Sequence, residues 1–341
     1  MQIPVDDYLA DALQLTPAEG RLRQEFAAWL PDDIIDCHAH CNLRAHVSYV
    51  SDRAFGHMLS TFTYFSLKDS ATVNALLHPG TRVRSLRFPK TFEGIDHRAA
   101  NAYLLEESST DDRIAVFGLP EDVGYTVRML RHPRCSALKM YWSYINPPAE
   151  RIYDFFRPEI LEEAQALDMP IILHLPKMIV RSLPDLVHLL EDFPRLRIVL
   201  AHLGLPKMLV PGLAEAYQAV KDYDNVMLDT ALNPSDAVMH LALSTFGSGR
   251  IMFGSDQPLH LIRSVAFLHP AKGERLATAY KYHWVDPAEH AEFSHLAVGA
   301  THAHWQSLTA IKRAVERFPQ SMREDMKRRI FRENASVFFG F

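Results

Sequence analysis

The sequence is poor in cysteine, with only Cys37, Cys41 and Cys135 among 341 residues. So small and odd a number argues against a disulfide scaffold and favours a reducing compartment, so we expect a cytoplasmic protein. The N-terminal stretch from Met1 to Asp7 lacks a basic segment followed by an apolar core. A signal peptide is therefore not expected.

Long apolar runs, internal repeats and low-complexity segments are also missing. No apolar run approaches the ~18–20 residues that a membrane span requires. The net charge of −5 is spread along the chain, without a basic stripe or an acidic tail. These absences disfavour nucleic acid and membranes as partners. The 48% of apolar residues is enough for a large core, so we expect a soluble globular protein.

Short apolar runs alternate with helical patterns along the chain, which is typical of β/α units built on a parallel sheet. Strands in such a sheet are covered on both faces and are therefore apolar throughout. Eight segments qualify, with 82–88 the weakest: 33–38, 82–88, 113–119, 136–141, 170–174, 197–202, 226–230 and 250–256. Eight is the number that a closed (β/α)8 TIM barrel needs, so we predict one such domain over residues 1–341.

The helical patterns between these strands have recognisable starts. Pro158 and Pro184 each suit a first helical turn before apolar residues at helical spacing. The segment 233–236 opens another helix that runs to about Leu243, with Asn233 or Ser235 as its cap.

Three pieces lie outside the repeat. Residues 6–30 are predicted to form one or two helices, which makes 1–32 a helical extension. Insertions follow the first strand, at 41–80, and the last strand, at 259–305, so both should lie on the active-site face of the barrel. The second insertion holds seven of the eighteen histidines together with Tyr280, Tyr282 and Trp284. We expect a helical lid over a pocket or a helical dimer contact, and no second metal site, because tight ligand spacing is missing.

Potential metal ligands recur where the predicted strands end. His38 and His40 have i, i+2 spacing, which places both imidazoles on one face of the first strand. His174 ends the fifth strand and Asp256 the eighth, so the barrel rim would gather all four side chains. Imidazole and carboxylate suit one divalent ion, zinc above all and manganese as an alternative, with a coordination position left for water.

Other polar residues near the rim admit two interpretations each. Asp229, near the end of the seventh strand, either supports the metal-site histidines or is only a strand-end residue. Arg87 and Lys90 follow the second strand and are either anion-binding groups on the rim or solvated charges. Lys139, near the end of the fourth strand, either contacts an anionic substrate or is structural.

The ordered motifs resemble the amidohydrolase superfamily, in particular the branch with aminocarboxymuconate semialdehyde decarboxylase, resorcylate-type decarboxylases, lactonases and hydratases. The resemblance rests on 34–40 (IIDCHAH), 172–174 (ILH), 200–204 (LAHLG), 253–256 (FGSD) and 330–335 (IFRENA). It implies that His38, His40, His174 and Asp256 bind one metal ion. It also implies that His202 activates water or contacts substrate, that Asp36 is a support residue, and that the chain forms a homodimer.

In other branches of the superfamily, a lysine on the fourth strand is carboxylated and bridges two metal ions, and the setting of Lys139 is compatible with this. The predicted function is a metal-dependent hydrolase of a small carboxylate-bearing or cyclic molecule. Asp256 and His202 would be its acid–base groups, and Lys139, Arg87 and Tyr141 its substrate contacts. A nonoxidative decarboxylase of an aromatic or muconate-type acid is the first alternative, and a non-catalytic ligand-binding barrel is the second.

Overall fold

The computed structural model describes residues 8–145 and 147–341. Met1–Asp7, on which the signal-peptide expectation rests, lies outside the described residues, as do the first two residues of the predicted helical segment 6–30. Eight parallel strands pair in chain order. They are β1 (Asp33–His40), β2 (Arg82–Phe88), β3 (Arg113–Phe117), β4 (Cys135–Met140), β5 (Ile171–Leu173), β6 (Ile198–Leu200), β7 (Val226–Asp229) and β8 (Ile251–Met252).

Backbone hydrogen bonds between β1 and the segment after β8 close this sheet. The Cys37 N–H donates to the Phe253 carbonyl at 2.9 Å, and the Asp256 N–H donates to the His38 carbonyl at 2.9 Å. The His40 N–H donates to the Gln257 carbonyl at 2.7 Å. The predicted (β/α)8 barrel is thus confirmed, including its weakest strand.

Helices separate the strands and extend the barrel at both ends of the chain. Their bounds are α1 (Tyr8–Ala12), α2 (Pro17–Trp29), α3 (Asp52–Phe55), α4 (Leu67–Leu77), α5 (His97–Glu107), α6 (Val123–Leu130), α7 (Pro158–Ala166), α8 (Ile179–Asp192), α9 (Leu213–Val220), α10 (Asp236–Phe246), α11 (Pro287–Phe293), α12 (Ala303–Glu316), α13 (Gln320–Arg328) and α14 (Asn334–Phe339). A π-helical turn, Arg329–Glu333, joins the last two. None of these helices, in the ranges that the structure describes, is long and apolar enough to cross a membrane.

Two of the three predicted helix starts are correct. Pro158 begins α7, and the Ser235 hydroxyl caps α10 by accepting the Val238 N–H at 3.2 Å. The prediction for Pro184 is wrong, because it lies inside α8, which already begins at the buried Ile179. A proline at this depth gives up one intrahelical hydrogen bond, so burial of the amphipathic face outweighs that loss.

The core has two layers, as the strand alternation requires. One layer fills the barrel interior with fully buried side chains, among them Ile35, Leu86, Phe88, Ala115, Ala137 and Ile172. Ala335 and Phe339 of α14 pack into the same cluster. The other layer lies between strands and helices and includes Ile34, Leu138 and Leu173. The interior layer lies directly below the polar residues at the C-terminal ends of the strands.

The insertion at 259–305 is not wholly helical, contrary to the expectation. Strands β9 (Ser264–His269) and β10 (Gly273–Thr278) form an antiparallel hairpin before α11. The β-favouring run Val265–Leu268 and the turn residues Pro270 and Gly273 account for it.

The N-terminal extension is fastened to this insertion by one buried carboxylate. Glu19 of α2 is fully buried and receives two hydrogen bonds from the Arg263 guanidinium, both at 2.9 Å. The His302 N–H donates to Glu19 Oε1 at 2.8 Å. Since Arg263 precedes the hairpin and His302 precedes α12, Glu19 holds both ends of the insertion.

Candidate active site and metal centre

Two histidines at the end of β1 turn the same ring nitrogen toward the barrel axis. The His38 Nδ1–H donates to Asp229 Oδ2 at 2.9 Å, and the His40 Nδ1–H donates to the Pro89 carbonyl at 2.9 Å. A carbonyl and a carboxylate only accept, so the proton of each ring is on Nδ1. Each Nε2 therefore carries a free lone pair, which is the form that binds a metal.

Asp256 brings a carboxylate to these two nitrogens. Its Oδ1 lies 3.1 Å from His40 Nε2 and 3.6 Å from His38 Nε2. The three ligand atoms lie within 4.8 Å of one another and all three residues are buried. Asp256 Oδ1 accepts no well-formed hydrogen bond from the described residues. Two lone pairs and an anionic oxygen that face one another repel without a cation between them, so this donor set fits a divalent ion.

The charges of this group suit metal binding. Burial lowers the pKa of His38 and of His40, and their carboxylate neighbours only partly oppose it. Burial by itself would raise the pKa of Asp256, but the neighbouring His38, His40 and His202 hold that pKa well below its usual value. Neutral imidazoles and an ionised carboxylate are the protonation states that ligation requires.

Asp229 and Asp36 hold His38 and the backbone next to Asp256 in place through hydrogen bonds on the side away from the cavity. In addition to its bond with His38, Asp229 accepts the backbone N–H groups of His202 at 2.8 Å and Ala231 at 3.1 Å with Oδ1. Asp36 accepts the N–H groups of His38 at 3.0 Å and Ser255 at 2.9 Å, which ties β1 to the segment before Asp256. Of the two interpretations of Asp229, the supporting role is the one that the geometry favours.

His202 and His174 complete a ring of imidazoles beside the three ligands. The His202 ring centroid lies 4.8 Å from that of His38 and 5.1 Å from that of His174. Their Nδ1–H groups donate to the carbonyls of Ala231 and Leu175, both at 2.9 Å. Burial, followed by the charge of His38, lowers the pKa of His202 to about 4. His174 is next to the three-ligand group but does not belong to it.

The backbone around these groups is strained. His202 and Leu203 have φ of 57° and 55°, and Asp256 has φ of 63°. Left-handed conformations cost non-glycine residues about 1–3 kcal/mol and concentrate at functional sites. Asp229 compensates part of this cost because it accepts the His202 N–H.

Lys139 is a buried cation with no hydrogen-bond partner for Nζ among the described residues. Its Nζ lies 5.2 Å from the centroid of the Phe88 ring and 5.9 Å from that of Tyr141. Burial lowers the pKa of Lys139 to about 8, although the carboxylates of Asp229 and Asp256 oppose the shift. The ammonium form of Lys139 is thus less favoured than that of an exposed lysine, and the carboxylates of Asp229 and Asp256 are the charges that support it.

One cavity of about 180 Å³ is lined by the side chains of His38, His40, Lys139, His174, His202 and Asp256. Strand ends contribute the ligand histidines, Lys139 and Tyr141, and the aromatic wall includes Trp142. Loops contribute His57, Met58, Leu59, Lys207 and Leu232. His57 and Lys207 could not be recognised from the sequence, because neither ends a strand. Their only signal was the position of their segments on the active-site face.

Arg87 does not contact this cavity, so its expected place on the rim is wrong. Its Nε donates to Asp112 Oδ2 at 2.6 Å and its Nη1 to Ser70 Oγ at 2.8 Å. The residues on either side of it in β2, Leu86 and Phe88, face the barrel interior, so Arg87 faces the opposite side of the sheet. Both it and Lys90 are buried, which also contradicts the alternative of solvated charges.

The family model described as amidohydrolase matches residues 35–341. The chain belongs to the amidohydrolase family. No curated protein sequence matches it. Membership of this family is consistent with the barrel, with the histidine pair of β1 and with Asp256 after β8. The chain is therefore an enzyme of the amidohydrolase type.

Solved structures resemble this amidohydrolase-family chain over most of its length. An amidohydrolase from Burkholderia multivorans with bound Zn is 13% identical, covers 90% of this chain and 99% of its own, and has a TM-score of 0.57. A 2,6-dihydroxybenzoate decarboxylase complexed with 2,6-dihydroxybenzoate is 14% identical, with coverage of 91% and 99% and a TM-score of 0.56.

A third structure, a putative 2-pyrone-4,6-dicarboxylic acid hydrolase from Pseudomonas putida, is 16% identical, with coverage of 91% and 98% and a TM-score of 0.55. Identities this low show the fold alone. The narrower resemblance to the aminocarboxymuconate semialdehyde decarboxylase branch stays a prediction.

Proposed function

We propose that this chain is a metal-dependent hydrolase of a small organic acid. One observation carries the proposal: His38, His40 and Asp256 converge in a cavity that also contains the amine of Lys139, which has no hydrogen-bond partner among the described residues. A metal site suits a carbonyl-type group of the substrate, and a desolvated cation next to it suits a carboxylate on the same molecule.

His38, His40 and Asp256 would hold one divalent ion, with His174 as the fourth protein ligand. The ion would polarise the scissile carbonyl and lower the pKa of a bound water. A set of imidazoles and one carboxylate favours zinc, with manganese as the alternative. The Burkholderia multivorans relative with bound Zn supports this choice.

The chain's own residues would manage the protons and the substrate. Asp256 accepts the proton of the attacking water, because its carboxylate oxygen lies beside the ion site and has no well-formed hydrogen bond among the described residues. His202 is the second acid–base group, since its Nδ1–H is used by the Ala231 carbonyl and its Nε2 is left to exchange a proton. Lys139 binds the substrate carboxylate, and Tyr141 forms the wall beside it.

A nonoxidative decarboxylase remains the second candidate, because the cavity wall includes aromatic side chains. Phe88 lies next to Lys139, and Tyr141 and Trp142 line the cavity. Such a wall fits a flat aromatic acid. In that reaction, Lys139 would orient the ring while Asp256 or His202 protonates the carbon that loses CO2.

Isotope transfer separates the two reactions on the zinc-loaded enzyme. Lactones, esters and amides of small organic acids are incubated in water enriched in heavy oxygen, and aromatic and muconate-type acids are incubated in parallel. We expect heavy oxygen in one carboxylate product and no CO2. Release of CO2 without incorporation of water oxygen would establish the decarboxylase. No turnover of any compound, together with tight binding of some, would favour the non-catalytic barrel.

The remaining proposals come from the sequence. We propose a homodimer in the cytoplasm, and size-exclusion chromatography with light scattering tests the assembly.

A further inference from the structure

A second lysine lines the active-site cavity, on the loop that follows β6. Lys207 is half-buried, and none of the ion pairs within 4 Å found for residues 8–145 and 147–341 includes it. Glu274 on β10 is near enough to favour the ammonium form of Lys207, in opposition to the desolvation that lowers its pKa. Lys207 therefore has the Glu274 carboxylate in its neighbourhood but forms no ion pair within 4 Å among the described residues.

His57, from the first insertion, supplies a second donor beside it. Its Nδ1 accepts the Leu59 N–H at 3.2 Å, so the proton of the neutral ring is on Nε2. His57 is exposed by its own surface area. Desolvation, followed by the charge of Lys207, lowers the pKa of the ring, so it is neutral at neutral pH and its Nε2–H is available.

The surroundings of this pair are apolar, and acceptors are scarce. Met58, Leu59, Leu205 and Leu232 line the same part of the cavity wall. Among the described residues that line the cavity, Asp256 is the sole carboxylate, and it faces His38 and His40. Nothing in the cavity lining therefore satisfies the charge of Lys207, and a ligand with an anionic group would.

We propose that Lys207 and His57 form an outer anion subsite, and that the substrate is a dicarboxylate. One of its carboxylates binds Lys139 at the strand ends, and the second binds Lys207 and His57 at the insertion side of the cavity. This inference rests on the proposed function, in which Lys139 binds the first carboxylate. It places substrate choice in two loops outside the strands of the barrel.

Binding of simple acids to the zinc-loaded enzyme tests the subsite. The probes are benzoate, with one carboxylate, and isophthalate and terephthalate, each with two, titrated by calorimetry at low salt. We expect the better of the two dicarboxylates to bind at least about 10-fold more tightly than benzoate, the gain that one charge-assisted hydrogen bond brings. Lys207→Met should abolish this advantage and leave the affinity for benzoate unchanged.

Three further variants make the result specific. Lys207→Arg should retain most of the advantage, since it keeps the charge, and His57→Ala should reduce it. Lys281→Met removes an exposed lysine from the same insertion as Glu274 and should change nothing. Circular dichroism checks that each variant is folded.

The outcomes distinguish this inference from the proposed function. If dicarboxylates bind no better than benzoate, or if Lys207→Met weakens benzoate as much as the dicarboxylates, the outer subsite is wrong. If Lys139→Met leaves the affinity for benzoate unchanged, the anchor of the proposed function is wrong instead. If no acid binds the wild-type enzyme at millimolar concentration, both are wrong.

Discussion

The carboxylate of Asp229 accepts the Nδ1–H of His38 at 2.9 Å while its other oxygen accepts the backbone N–H of His202 at 2.8 Å. One side chain thus orients a candidate metal ligand and stabilises the strained turn of His202, a candidate catalytic residue. Asp229→Asn keeps an acceptor oxygen but removes the charge that fixes the His38 tautomer.

We expect this variant to bind zinc about 10- to 100-fold more weakly, the usual cost of losing a partner of a metal-ligating histidine. Chelator competition measures the affinity. Asp224→Asn, an exposed aspartate on the loop before β7, is the control and should bind zinc like the wild type. An unchanged affinity in Asp229→Asn would refute the supporting role.

Removal of one imidazole should abolish both activity and metal-dependent stabilisation. His40→Ala leaves Asp256 with one histidine fewer, so we expect zinc to raise the melting temperature of the wild type but not of this variant. Thermal denaturation of the chelator-treated proteins, with and without added zinc, measures this. His188→Ala, on the exposed face of α8, should respond like the wild type. Equal stabilisation of His40→Ala would show that the ion binds elsewhere.

The number of metal ions depends on the state of Lys139. Its Nζ is buried, without a hydrogen-bond partner, in a cavity with one three-ligand group among the described residues. We expect a free amine and therefore a single peak in an anomalous-scattering map of crystals grown with zinc. Two peaks about 3.5 Å apart, the usual separation in two-metal sites, would instead show that a carboxylated Lys139 bridges two ions.

The affinity for carboxylate-bearing substrates should depend on the same lysine. Lys139→Met removes the charge and retains much of the volume, so the KM of such a substrate should rise about 10- to 100-fold, the range for a hydrogen bond to a charged group. The KM of an uncharged ester should change little. Steady-state kinetics on a matched pair of substrates provides the comparison, and parallel increases in both KM values would count against a carboxylate contact.

Buried neutral histidines away from the metal centre should make the fold sensitive to acid. Burial lowers the pKa of His78 and of His97 to about 4, against an ordinary value of 6.5. Between these values the unfolded chain takes up protons that the folded chain does not, so the free energy of unfolding falls as the pH falls. At pH 5 the loss is about 2 kcal/mol for each histidine.

Urea denaturation of the metal-free protein at pH 7 and at pH 5 measures this loss. His78→Gln should remove about half of the pH dependence that the two histidines cause. If the variant retains the full pH dependence, the loss has another origin.

The residues that chemistry requires at strand ends were predictable, whereas those on loops were not. Parallel strands are apolar on both faces, so β1 to β8 stood out, and their ends identified His38, His40, Asp256 and Lys139. The position of Arg87 was predicted wrongly. Its neighbour Phe88 faces the barrel interior, so Arg87 faces the outer side of the sheet, and the sequence of β2 does not show which of the two faces inward.

The hairpin and the two outer donors escaped prediction for a related reason. Residues 264–278 mix β-favouring positions with charges and one histidine, His269, which obscures both the strand period and the helix period of the sequence. His57 and Lys207 line the cavity because of the tertiary packing of their loops. The local sequence of a loop does not predict which part of the protein the loop contacts.

The family match begins at residue 35, sixteen residues after Glu19. A shortened gene that started at that boundary would lose Asp33 and Ile34 from β1 but keep β2 to β8 and the candidate ligands His38, His40 and Asp256. It would nevertheless release Arg263 and His302 from the carboxylate that holds them, and Arg263 would be left half-buried without its counter-ion. The family match and the contacts of the N-terminal extension thus set different boundaries in this chain, because the match excludes Glu19, which holds both ends of the 259–305 insertion.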